Sequence, residues 1–183
     1  FGSSTVPMTG AGNFAVGKSA GYSNTSGEYN LFIGLNSGYS NTLGGFNVGL
    51  GKDTLSNNLD GFNNTAIGYQ ALNGSSTQKM SGDDNFAVGT QAMFSNITGS
   101  NNIAVGSYAF RDNDSGSNNA ALGTSALRFS AVANNNTAIG YQALFGSSTA
   151  MMTGGNNFSV GSQAGYSNTT GNNNTFLGNQ SGY

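Results

Sequence analysis

Apolar residues in this chain fall in short clusters at a fixed spacing, separated by runs of Ser, Asn, Thr and Gly. Each cluster closes on an aliphatic residue followed by a glycine, and it does so ten times. The aliphatic residues are Val16, Ile33, Leu50, Ile67, Val88, Val105, Leu122, Ile139, Val160 and Leu177. Their glycines are Gly17, Gly34, Gly51, Gly68, Gly89, Gly106, Gly123, Gly140, Gly161 and Gly178. Successive glycines lie 17 residues apart, except for a step of 21 at every fourth turn, so the whole pattern recurs every 72 residues. The decapeptide NNTAIGYQAL therefore stands at 63–72 and again at 135–144.

Three residues past each glycine comes a small side chain, and the position after that is Gly, Leu, Met or Phe. Two apolar clusters per repeat, joined by tight polar bends, predict two brief strands in each turn. Thirty glycines in 183 residues exclude helix. A single repeat cannot fold by itself. Burying one Val, Ile or Leu contributes about 1.5–3 kcal/mol, whereas ordering each residue's backbone costs roughly 1–2 kcal/mol. Stacked turns supply the missing contacts, because backbone ladders and like side chains then run along one axis.

The expected fold is all-β: a parallel β-solenoid or β-roll of about ten turns, with residues 1–183 forming one repeat array. At about 4.8 Å per turn it makes a rod of roughly 48 Å. The ten aliphatic residues, with the small residue after each glycine, are expected to form its core. Further apolar residues lie three before the glycine (Phe14, Leu31, Val48, Phe86, Ile103, Phe158) or beside that position (Phe32, Phe176). They predict a second buried face, read as the interface of a homotrimeric fibre; the other arrangement is a lone two-sheet roll.

Five Lys and Arg against seven Asp and Glu give a net charge of −2, and with it no basic surface for nucleic acid or anionic lipid. No apolar run reaches the ~18–20 residues of a membrane span. Cysteine and histidine are both absent, which removes thiolate chemistry, the usual nucleophile pairs and the commonest zinc ligand. The reading is therefore of a protein that is not an enzyme and takes no cofactor or metal. Asp83–Asp84 and Asp112–Asp114 are the carboxylate pairs that a glycan-processing fibre could use, yet neither recurs in phase. An ice-binding solenoid, the other alternative, wants a regular Thr column, and Thr65, Thr137 and Thr175 are too few.

Two sets of residues are candidates for surface contact. The long turns GSSTVPM, GSSTQKM and GSSTAMM carry Met8, Met80, Met151 and Met152, which either project as adaptable apolar contacts or tuck inward to close the bend. Five residues after the marker glycine stand Tyr22, Tyr39, Phe94, Phe145, Tyr166 and Tyr183. Stacked on successive turns, these rings form either a stabilising ladder or a platform for sugars. Asn24, Asn63, Asn96, Asn135 and Asn168 open glycosylation sequons.

The segments NNTAIGYQAL, NFAVGTQAMFSNITGSNNIAVG and GYSNTTGNNNTFLG resemble the repeats of bacterial and phage tail-fibre-domain proteins. More distantly they are similar to the head repeats of YadA-type trimeric adhesins. The resemblance implies a trimeric parallel β-roll in an extracellular fibre, adhesin or virion appendage. Its implied partners are other copies of the chain and a surface glycan or receptor. Residues 1–5 match 145–149, so the array is expected to be a stretch of a longer fibre or to join head to tail as a filament.

Overall fold

A computed structural model describes residues 9–74 and 79–183. Met8 lies outside them. Ten three-residue strands follow in chain order: β1 (Phe14–Val16), β2 (Leu31–Ile33), β3 (Val48–Leu50), β4 (Thr65–Ile67), β5 (Phe86–Val88), β6 (Ile103–Val105), β7 (Ala120–Leu122), β8 (Thr137–Ile139), β9 (Phe158–Val160) and β10 (Thr175–Leu177). Each pairs in parallel with the next, giving one ten-stranded sheet in sequential order. The register is one repeat per rung without slippage, as in Val88↔Val105 and Val105↔Leu122. The longer turns leave it intact, since Ile67 still pairs with Val88 and Ile139 with Val160. The described residues contain no helix. The molecule is an all-β parallel β-solenoid with about nine full turns between its first and last strands.

Only one strand forms in each turn where two were expected. On the return side the chain runs through residues of positive φ, such as Gln91 at 54° and Met93 at 49°, so it cannot form a regular strand. Its amides still bond from turn to turn: Phe110 donates to the carbonyl of Ala126 at 2.8 Å, and Gly38 to that of Thr54 at 2.9 Å. The second wall of the solenoid is thus a hydrogen-bonded stack of turns.

The position of the core differs from expectation. A three-residue strand has one inward residue, its centre, and two outward ones. Val16, Ile33, Val105, Leu122, Ile139 and Leu177 are exposed, and Leu50, Ile67, Val88 and Val160 are half-buried. The aliphatic column is therefore the outer surface of the chain and not its core. Phe14, Leu31, Val48, Phe86, Ile103 and Phe158, two residues earlier, lie on that same outer face, while Phe32 and Phe176 point inward.

The interior is filled by the strand centres and by the third and fourth residues after each marker glycine. Where the centre is small, as at Ala66, Ala87, Ala104, Ala121 and Ala138, the fourth residue is large: Leu72, Met93, Phe110, Leu127 and Leu144, all fully buried. Where the centre is Phe32 or Phe176, the fourth residue is Gly38 or Gly182, at which an added Cβ would collide with the phenyl ring. Large residues thus change places between the two walls, and the rungs that are small on both, Ala15 with Gly21 and Ser159 with Gly165, lie against the rings of Phe32 and Phe176 from the next rung.

Beside these runs a ladder of asparagines four residues before each marker glycine, from Asn13 to Asn174. Asn102 shows the pattern. Its Nδ2 donates to Asn85 Oδ1 at 3.1 Å and to the Gly116 carbonyl at 2.8 Å, while its Oδ1 accepts the backbone N–H of Asn119 at 2.9 Å. A buried amide left without its acceptor costs about 1–3 kcal/mol. Asn102→Ala removes the acceptor for Asn119 and leaves a small cavity as well, so a loss of about 2–3 kcal/mol is expected from the denaturation midpoint.

Candidate interaction surface

The outer face of the sheet consists of the first and third residues of every strand. None of these twenty positions carries a charge; apart from Thr65, Thr137 and Thr175 they are aliphatic, alanine or Phe. Phe14 is 56% exposed, Ile103 45%, Phe158 44% and Leu177 64%. With nine steps of about 4.8 Å and a width near 10 Å, the strip covers on the order of 400 Å². Exposed Leu35, Tyr69 and Tyr141 extend it along the edge just past the marker glycines. A strip of ~400 Å² already equals the largest apolar patch of a typical monomer, and patches beyond that mark interaction surfaces.

The aromatic positions form a second column. Tyr22 stacks on Tyr39 at 5.1 Å between ring centroids, Phe145 on Tyr166 at 4.9 Å and Tyr166 on Tyr183 at 5.2 Å. The column is interrupted where the same position is Ser56, Asn73, Arg111 and Arg128. Arg111 lies 5.6 Å over the Phe94 ring, and Arg128 is held between Tyr108 and Phe129 at 5.3 and 4.9 Å. Arg111 thus continues the column as a cation on the Phe94 ring, whereas the rings that hold Arg128 lie two and six residues past their marker glycines, outside the column. Sequence reasoning passed over Arg111, although its spacing from the marker glycine would have placed it in the column.

Asp112 sits between the two arginines, with Oδ1 bonded to Arg111 at 2.8 Å and Oδ2 4.0 Å from Arg128 Nε. Burial raises its pKa above the usual carboxylate value, and the two arginines oppose that shift only in part. Ionised, it therefore works against the folded state, and this cost grows as pH rises from the ordinary carboxylate range. Of the other acidic pair, Asp83 accepts the backbone N–H of Phe62 at 2.7 Å and Asp84 takes a positive φ of 57°.

The methionines divide between inside and outside. A second internal column runs through Asn24, Asn41 and Asn58 and again through Asn96 and Asn113, each seven residues past a marker glycine. Fully buried Met80 and Met152, bridged to Asn58 and Ser130, take its place where a long turn rejoins the stack. Met80 is therefore a core residue and not a surface contact; Met151, its side chain turned the other way, is 36% exposed. Tyr22, Tyr39 and Tyr183 are exposed and Tyr166 is half-buried. Two sequon asparagines, Asn24 and Asn96, are buried, their Nδ2 groups donating to the carbonyls of Gly27 and Gly99.

Fold and register together define a parallel β-solenoid repeat protein. Compared with protein-family models, curated proteins and solved structures, the chain finds no match in any of the three.

Proposed function

We propose that this chain is a non-enzymatic structural module of an extracellular fibre, assembling through its outer sheet face and serving as shaft or adhesive head. One observation carries the reading: an uncharged face, apolar apart from Thr65, Thr137 and Thr175 and exposed or half-buried in the single chain, runs over ten rungs. Depletion of charge is the mark of an interface core. Aliphatic side chains turned outward at every rung are explained by a partner presenting the same column. Three copies with these faces turned to a common axis cover the strip on every chain. The likeness of the repeats to those of tail-fibre proteins and trimeric adhesin heads supports the same arrangement.

Because the chain has no cysteine, a single thiol can report on the face. Val105→Cys is expected to give covalently linked pairs with a short bis-maleimide at low protein concentration. Thr98→Cys, exposed on a peripheral turn, gives none under the same conditions. Equal linking at the two positions, or none at Val105, counts against the assembly.

A further inference from the structure

The long turn that follows β8 opens a recess of about 310 Å³ on the side of the rod. Its floor is aromatic. Phe129 meets Phe145 edge to face at 5.1 Å and 87°, and Phe145 stacks on Tyr166 within 9° of parallel. Its rim is hydroxylic, formed by Ser147 and Ser148 of the long turn with Ser167 and Thr169 of the next. No lining residue is charged. The recess exists because the extra residues of this turn leave the stack and rejoin it at Met152, beside Ser130.

We infer that this recess binds a neutral sugar ring of a surface glycan. The volume lies at the small end of the ~300–1,000 Å³ range of ligand sites, which limits the occupant to one or two rings. An apolar floor beneath a rim of groups that both donate and accept matches a pyranose, whose C–H face is apolar and whose edge carries hydroxyls. No lining residue is a cation, and Arg128, which lies 4.9 Å over the Phe129 ring, faces Asp112, so a phosphate or carboxylate would lose its hydration with little compensation. A second recess of about 350 Å³, to which Met151 of the same loop contributes, is lined by Ser95, Asp112 and Asp114 among others. Asp112 is taken up by Arg111 and Arg128, so the exposed Asp114 carboxylate and the Ser95 hydroxyl are the groups that can accept hydrogen bonds from the hydroxyls of a neutral chain continuing past the loop. The inference deepens the adhesive part of the proposed function and rests on it; lateral assembly is a separate matter.

The test uses the full chain with maltotetraose, cellotetraose, tetra-N-acetylchitotetraose and trigalacturonate as probes, read by saturation-transfer NMR and calorimetry. At least one neutral probe is expected to bind at concentrations up to about 10 mM, and the acidic probe not at all. Ser148→Trp fills the recess from an exposed loop without touching the rungs and weakens binding about tenfold or more. Tyr166→Phe keeps the ring and the affinity to within about threefold. No neutral probe binding, equal binding of trigalacturonate, or full binding by Ser148→Trp overturns the site. Sedimentation of the same samples separates the two readings: a multimer that binds no sugar sinks the recess alone, and a monomer that binds sugar sinks the assembly alone.

Discussion

Gly106→Ala is expected to split the ladder between β6 and β7, at a cost of about 4 kcal/mol or more. Gly106 has φ +131°, a conformation that side-chain-bearing residues avoid and whose strain alone costs roughly 1–3 kcal/mol. A Cβ placed there would stand 2.7 Å from both the carbonyl carbon and the oxygen of Gly123 on the next rung. Neither atom belongs to a flexible side chain. The rungs cannot move apart without stretching ladder bonds such as Gly123 N–H to the Val105 carbonyl, 2.8 Å. Gly178→Ala provides the comparison, for it has φ +110° but nothing within 4 Å of the added carbon, so only the conformational strain remains. The two variants are compared by urea denaturation midpoint. A large shift for Gly106→Ala with a small one for Gly178→Ala is the expected result; equal shifts contradict close backbone stacking.

The second large effect concerns the outer face. Ile67, Val105 and Ile139 lie on alternate rungs, about 10 Å apart, with side chains directed away from the interior. Lysines at all three leave each rung's hydrogen bonds and core in place. In an assembly they would bury three unpaired charges per chain, each costing several kcal/mol. The triple variant is therefore expected to sediment as a single chain with an unchanged far-UV circular dichroism spectrum. Retention of the parent's assembled mass contradicts the proposed interface.

The period, the parallel register and the number of rungs were all legible in the sequence, because glycine at positive φ and an adjacent aliphatic residue recur at every turn. What misled was regularity itself. The column from Val16 to Leu177 looks like a core because it never varies in kind, whereas the true interior varies among Ala, Phe, Gly and Ser at the strand centre and offsets this on the facing wall or the next rung, Phe32 against Gly38 and Gly21, Ala104 against Phe110. In a strand, a frame error of one residue exchanges inside for outside. The same parity divides Met151 from Met152. Of the candidate surfaces, the aromatic column was visible and its continuation through Arg111 on the Phe94 ring was not, since a cation on a ring preserves the stacking while changing the residue type.

Sedimentation equilibrium of the unmodified protein bears most directly on the central claim, that the solvent-facing sheet of one chain is the buried face of an assembly. Three chains of 18.5 kDa give a mass near 55 kDa, the value expected down to low micromolar concentration. A stable mass of 18.5 kDa throughout would contradict it.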